Sequence, residues 1–441
     1  MSFIDVFPSF TDESKAKLQR RIHATLLSGP LAQEAVINAC NRLSVRLTQG
    51  EFDEYIENAD ADPLFYAQLQ EAKTLLGRPY LEEKLKRELR YPLYEKQAYS
   101  PPGYEGTVFE QTLPLGVILH IPASNAHGLS AVGVIEALLC GNINLVKLSS
   151  EGDSLSVLLL EELVKTEPAL KEYIYLFPIP SSNEQAVSRM MSLADGIAVW
   201  GGDDTIHAIR RLAPPPVRLI EWGHKLGFAY AAQEVDNTAL YALSKSIAMS
   251  NGLLCSSCQG IYVNAHDIGD LEAFARRFLP IFEKACKDVP LRLNNTVQAQ
   301  ATLLRYNEKL RAQLAGDLFL EGEGCGVRVM RDHALMLSPP YRNIWIKALK
   351  KEDILAALHA YHGHLQTAAV LAGEKESPEI EALLLRAGVV QIVDPRQAFG
   401  GYSGMPHDGE YALNRYTKRV STSIKTHNME CMLVGEQAHV L

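Results

Sequence analysis

Long apolar runs are missing from this 441-residue chain. No stretch approaches the roughly 18 apolar residues that cross a bilayer, which excludes a membrane-spanning helix. Positive charge is not in excess: 43 Lys and Arg face 52 Asp and Glu for a net charge of -9, and no long basic run occurs. Nucleic acid is therefore not an expected ligand. Cysteine is sparse and irregularly placed. Cys40, Cys140, Cys255, Cys258, Cys286, Cys325 and Cys431 form an odd set, which argues against a disulfide framework and leaves most of them as reduced core residues. The one CxxC pair, Cys255 and Cys258, has no second pair or Cys/His couple at metal-ligand spacing, so no metal site is expected. A strand-turn-helix GxGxxG is also absent. Gly322-Glu323-Gly324-Cys325-Gly326 has the glycines, but it follows a helical stretch and precedes a strand-like one, so it reads as a turn. The opening residues 1–8 carry neither a basic cluster nor an extended apolar core, and a cytoplasmic enzyme is the resulting expectation.

Apolar residues at 47% and charged residues at 22% match an ordinary globular protein. The length exceeds the ~150 residues of a typical domain, so two or three units are expected. Residues 1–100 read as a helical segment, with Leu18, Ile22 and Leu26 at four-residue spacing and a second charged helix around 81–87. Tyr91-Pro92 and Ser100-Pro101-Pro102-Gly103 then break the pattern. From Leu115 a strand, a loop at 122–127, a helix at 129–139 and a strand at 143–148 form a βαβ unit. Strand and helix patterns keep alternating to Gly196-Ile197-Ala198-Val199-Trp200 and beyond. This implies an α/β fold with parallel sheets covered on both faces, whose ligands sit at the carboxyl ends of strands. The boundaries read as 1–100, 101–235, 236–410 and a loop-rich, then strand-like, segment 411–441.

Cys255 stands in Ser250-Asn251-Gly252-Leu253-Leu254-Cys255-Ser256-Ser257-Cys258-Gln259. Asn251-Gly252 signals a turn, and Gln259-Gly260-Ile261-Tyr262-Val263 alternates like a strand, so the thiol belongs to a loop between ordered elements. A loop thiol suits covalent catalysis through attack on an acyl or aldehyde carbon; the plain alternative is an inert buried cysteine. Cys258 reads as a redox partner of Cys255 or as a bystander. Asn125 either donates its amide to an oxyanion or caps the helix near Leu129. Glu221, in Ile220-Glu221-Trp222-Gly223-His224-Lys225, serves either as a proton acceptor or in an ordinary ion pair at a strand end. Leu365-Gln366-Thr367-Ala368 and Ile344-Trp345 read as core.

Cys255, Glu221, the Pro122-Ala123-Ser124-Asn125 loop, the strand ending at Lys147 and the Trp200-Gly201-Gly202 turn occur in an order and spacing that resemble the aldehyde dehydrogenase superfamily. Within it the chain is most similar to the acyl-thioester reductases of the bacterial luminescence type, over about residues 105 to 430. The resemblance implies two Rossmann-like domains, a dinucleotide-binding one at 101–235 and a catalytic cysteine one at 236–410, with a small oligomerisation element at 411–441. It also implies that Cys255 carries the acyl group, with Asn125 and a backbone amide on the oxyanion. Glu221 falls where oxidative members activate water. Lys147, with Ser149 and Ser150 nearby, would contact the adenosine ribose, and Gly201 and Gly202 would admit the dinucleotide. Ser150 replaces the acidic residue that favours NAD, so NADPH is expected, with NADH the alternative. The Phe399-Gly400-Gly401-Tyr402 loop would close the acyl end of the pocket.

The resulting expectation is an NADPH-dependent reductase that converts an acyl-CoA or carrier-bound acyl thioester to an aldehyde, working as a homodimer. An oxidative aldehyde dehydrogenase that yields free acid, and a non-catalytic binding subunit, are the rival readings.

Overall fold

A computed structural model describes residues 3–53, 69, 72–123, 128–148, 153–232, 234–291, 293–396 and 402–424. By its internal contacts the chain divides into two units: Met1–Phe52 with Gln68–Trp222 and Ser403–Leu441, and Asp53–Ala67 with Gly223–Tyr402.

The first unit contains strands β1 (Asp5–Val6), β2 (Gln97–Tyr99), β3 (Thr107–Pro114), β4 (Val117–Ile121), β5 (Ile143–Lys147), β6 (Ile174–Phe177), β7 (Gly196–Trp200) and β8 (Arg218–Trp222). Six of them form a parallel sheet in the order β1-β6-β5-β4-β7-β8. Every residue of β4, β5 and β6 is buried, as expected of strands covered on both faces. The chain runs outward from β4 through β5 to β6, then returns to lay β7 on the other side of β4. The carboxyl ends of β4 and β7 are thus the point where the winding direction reverses, the position at which open α/β sheets take ligands.

The N-terminal segment is helical at Asp12–Leu27, Gln33–Thr48 and Arg78–Glu88, as its periodicity indicates, but it opens with β1, which extends the sheet along β6. Its first helix also turns a different stripe inward. Leu18, Ile22 and Thr25 are buried while Leu26 is 54% exposed, because a 3.6-residue repeat brings the third position of the stripe round one residue early.

The second unit contains β9 (Leu226–Ala231), β10 (Cys258–Val263), β11 (Leu318–Gly322), β12 (Cys325–Met330), β13 (Asn343–Ala348), β14 (Leu365–Leu371) and β15 (Gln391–Val393). They form one sheet in the order β11-β12-β13-β10-β9-β14-β15, parallel except for the β11-β12 hairpin. That hairpin turns at Glu323-Gly324, with Gly324 at φ +77°, so the glycine-rich run is a turn as expected. Side chains alternate between two cores. Phe228 and Tyr230 pack with Tyr262 and Trp345 on one face, while Ala229 and Ala231 pack with Ile261, Val263 and Ile346 on the other. The helix Ile268–Asp288 covers the second face with Leu271, Phe274, Phe278 and Phe282, an apolar stripe at three- and four-residue steps. Asp267 starts this helix by accepting the Asp270 N–H. Between β13 and β14 the chain makes three short helical turns, at 351–353, 354–358 and 359–361.

The change of unit falls after Trp222 rather than at 235, because β9 pairs with β10 and β14. The strand-like C-terminal stretch is β16 (Thr417–Ile424), which lies antiparallel to β3 from Thr417 against Pro114 to Ile424 against Thr107. With β2 it completes a three-stranded sheet of the first unit. Among the described residues no helix is long and apolar enough to cross a membrane, and no three His, Cys, Asp or Glu side chains cluster to hold a metal ion.

One buried group gives the first unit a pH signature. His120 of β4 is 2% exposed, its Nε2 lies 2.9 Å from Asn144 Oδ1 of β5, and burial depresses its pKa from 6.5 to about 4. An unfolded chain takes up a proton near pH 6.5 that the folded protein refuses until about pH 4. This contribution to stability is therefore complete above pH 6.5 and is lost as pH falls toward 4, by about 3 kcal/mol. A His120→Gln protein should lose correspondingly less stability over that range. An acid profile in urea unfolding as steep as the wild type's would refute the assignment.

Candidate active site

The helix Asn237–Ser250 ends at Asn251, whose φ of +52° reverses the chain, and Gly252 follows at φ +73°. This left-handed pair aims the next residues back toward the sheet, and a short turn results. Leu253 N–H donates to Ser250 O and Ser257 N–H to Leu254 O, each at 3.0 Å, while Leu254 N–H donates to Ser257 Oγ at 2.9 Å. Cys255 sits on this turn just before β10 and is exposed. Cys40, Cys140, Cys286 and Cys325 are buried. The loop reading of Cys255 therefore agrees with the structure, and the buried-cysteine alternative does not. Cys258 begins β10, its Sγ donating to Gly260 O at 3.3 Å, and burial pushes its thiol up to about 12. At neutral pH it is a protonated packing residue.

The position of Cys255 departs from the carboxyl-end rule. Its loop leads into the amino end of β10, level with the amino ends of β9 and β14. At that level both ladders of β9 are irregular: the β10 pairing shifts register between Cys258 and Ile261, and the β14 pairing between Leu365 and Ala368. Gly227 of β9 lies there too. A Cβ on it would stand 2.7 Å from the carbonyl oxygens of both Ser256 and Ser257, so glycine is what lets the Cys255 loop settle on the strand. Gln366 of β14, only 5% exposed, donates from Nε2 to Cys255 Sγ at 3.6 Å. Its sequence context pointed to core, and core it is, yet the polar pair Gln366-Thr367 at the head of an otherwise apolar buried strand was the available signal.

A buried arginine holds the same loop from behind. Arg342, 4% exposed, donates to Asn251 Oδ1 at 3.2 Å, Ala248 O at 3.2 Å, Cys286 O at 2.9 Å and Val289 O at 2.6 Å. Its guanidinium thus caps the carboxyl ends of the helices Asn237–Ser250 and Ile268–Asp288, where the helix dipoles favour a cation. Tyr341 N–H also donates to Asn251 O at 2.8 Å. Nothing in the local sequence announces this role.

In the first unit, Lys147 closes β5 at its carboxyl end and is 5% exposed. Its Nζ lies 3.5 Å from Leu148 O, and burial lowers its pKa. Gly201 and Gly202 follow β7, Gly202 capping the helix Asp203–Leu212, and a Cβ on Gly202 would meet nothing within 4 Å. Lys147 and Gly202 both stand at carboxyl ends of this sheet, where the resemblance placed a dinucleotide, and the helix after Gly202 opens with Asp203 and Asp204. Asn125, Ser149, Ser150 and Phe399-Gly400-Gly401 lie outside the described residues.

Glu221 stands near the end of β8 in the ion pair that its alternative reading described. Arg210 clamps it bidentately, Nε to Oε1 and Nη2 to Oε2, both at 2.6 Å. Arg415 donates to its backbone oxygen at 3.1 Å and lies 4.3 Å over the Trp222 ring, which stacks on Trp200 at 5.0 Å. His224 and Lys225 bind their own unit: His364 Nδ1 lies 3.1 Å from His224 O, and Lys225 Nζ donates to Gly363 O at 2.6 Å.

A family model described as acyl-CoA reductase (LuxC) matches residues 30–419. The chain is 24% identical over 324 residues to long-chain acyl-protein thioester reductase 2 of Photobacterium leiognathi, a match covering 72% of this chain and 66% of that protein. It is 25% identical over 214 residues to the long-chain acyl-protein thioester reductase of Aliivibrio fischeri, covering 47% of this chain and 43% of that protein. It thus spans less than two thirds of either relative. Among solved structures it is similar to a lactaldehyde dehydrogenase, at a TM-score of 0.69 and 14% identity over 96% of both chains. It is also similar to glyceraldehyde-3-phosphate dehydrogenase GapN from Methanocaldococcus jannaschii complexed with NADP, at 0.68 and 15% over 97% of this chain and 99% of that one. The aldehyde dehydrogenase fold expected from the sequence is the fold observed.

Proposed function

Because this chain belongs to the acyl-CoA reductase (LuxC) family, we propose that it reduces an acyl thioester, presented on coenzyme A or on a carrier protein, to the aldehyde through an acyl-Cys255 intermediate. The observation that carries this reading is the exposure of Cys255 on a loop built for it, set against the burial of Cys40, Cys140, Cys286 and Cys325. The Cys255 thiolate attacks the thioester carbon; a new C–S bond forms, and the carrier thiolate departs once the tetrahedral oxyanion collapses. Asn125 and a backbone N–H are the donors we assign to that oxyanion.

Lys147, Ser149, Ser150, Gly201 and Gly202 are the residues that would hold a nicotinamide dinucleotide, with NADPH preferred over NADH. When bound, that group supplies the hydride that reduces the acyl carbon and frees Cys255. Glu221, occupied by Arg210, is assigned to anchoring β8 rather than to activating water, which favours aldehyde over free acid as the product. Among the described residues β16 is an end strand of the order β16-β3-β2, which supports strand pairing between two copies, so a homodimer belongs to the same reading.

The test is a panel of acyl-CoA thioesters of increasing chain length with NADPH or NADH, the aldehyde being trapped by hydrazine. Cofactor oxidation matched by trapped aldehyde is the expected result. Reduction of NAD(P)+ by supplied aldehydes, with free acid as product and no thioester turnover, would overturn the proposal in favour of an oxidative enzyme.

A further inference from the structure

The Gln366 carboxamide is placed on Cys255 by more than chance packing. Side chains on a regular strand point to alternate faces, and a register irregularity is the usual device for re-aiming one of them. Here the irregularity in the β14 ladder spans Gln366, the irregularity in the β10 ladder begins at Cys258, and both flank the same stretch of β9. Gly227, on that stretch, clears room for the Ser256 and Ser257 carbonyls beside Cys255. Three departures from regular sheet thus converge where Nε2 of Gln366 meets Sγ of Cys255 at 3.6 Å.

Burying a carboxamide is costly unless it is hydrogen-bonded, so a 5% exposed glutamine beside an exposed thiol calls for a functional account. Thr367, the next residue, donates to Gln391 Oε1 at 2.9 Å, and His364, two residues earlier, is directed to His224 O at 3.1 Å. Of these three neighbouring polar side chains, Gln366 is the one that reaches the sulfur.

We infer that Gln366 is a catalytic residue whose side-chain N–H holds the Cys255 sulfur as a thiolate, oriented for attack. A neutral amide suits this role better than a base. It stabilises the anion, stays unprotonated and uncharged across the working pH range, and offers no strong proton acceptor beside the acyl-enzyme to activate water. The inference rests on the reading of Cys255 as the acylated nucleophile.

The test is the rate of iodoacetamide alkylation of Cys255 as a function of pH, followed by peptide mass in the full chain. Gln366→Leu, close in volume, should move the midpoint of the profile upward by about one to two pH units, the worth of a hydrogen bond to a charged group. Gln366→Glu should move it at least as far, by charge repulsion, and Gln366→Asn, a methylene shorter, should move it less. Profiles of Gln366→Leu and Gln366→Glu that both superimpose on the wild type would overturn the inference, and the pair of variants guards against one that misfolds. A separate measurement, the acyl mass gained by the wild type from acyl-CoA alone, tests the nucleophile itself. If that mass is absent with acyl-CoA and with an acylated carrier protein alike, the proposed function fails, while the alkylation profiles still decide Gln366.

Discussion

Cys255→Ala protein is expected to form aldehyde from acyl thioesters at least roughly 10³-fold more slowly than wild type, since removing a covalent nucleophile removes the pathway rather than tuning it. The acyl mass found on the wild type after mixing with acyl-CoA and no cofactor should be absent from this variant. Cys258→Ser gives the internal contrast. With its thiol pushed up to about 12 by burial and its Sγ donating to a backbone oxygen, Cys258 contributes no thiolate, and activity should stay within a few-fold of wild type. Turnover that survives Cys255→Ala, or that disappears only with Cys258→Ser, would remove Cys255 from the reaction.

The second large effect concerns stability. Arg342→Met keeps much of the side chain's length but deletes every donor, leaving the Ala248, Cys286 and Val289 carbonyls and the Asn251 side chain without the group that joins them. Buried acceptors stripped of a charged donor cost far more than a surface contact, and about 3–5 kcal/mol is expected. The urea midpoint should fall by about 1–2 M. Arg342→Lys should recover part of the loss, because one ammonium reaches fewer of the four acceptors than a planar guanidinium does. A midpoint within about 0.3 M of wild type for Arg342→Met would show that water replaces the guanidinium at no cost. Because Asn251 begins the turn that carries Cys255, the same variant should also slow Cys255 alkylation below its unfolding range.

Much of this was legible in the residues. The strand Gly196–Trp200 and the helix Leu129–Leu139 occupy the positions their patterns indicated, because a run of buried apolar residues closed by glycine or a tight turn has few other solutions. The turn signal Asn251-Gly252 placed Cys255 on a loop for a reason that the left-handed φ angles bear out. Other features depend on tertiary partners. β9, Leu226-Gly227-Phe228-Ala229-Tyr230-Ala231, carries no β-branched residue and only Phe228 and Tyr230 favour a strand, so its identity comes mainly from β10 and β14 on either side. The meeting of Gln366 with Cys255 needs two strands out of register, and the Arg342 cap needs two helix ends brought together. Neither leaves a local pattern. Glu221 illustrates the converse: its motif suggested a base, while the residue that occupies its carboxylate, Arg210, lies one helix earlier in the chain.

β3 and β16 are paired along eight residues within the first unit, although roughly 300 residues of chain lie between them. A ribosome adding about 5–20 residues per second therefore leaves that side of β3 uncovered for about 15–60 s. Throughout that interval the whole of the second unit's sheet is made, while an open edge faces every other nascent chain nearby. The three-stranded sheet of the first unit can therefore close only after the strands of the second unit have left the ribosome.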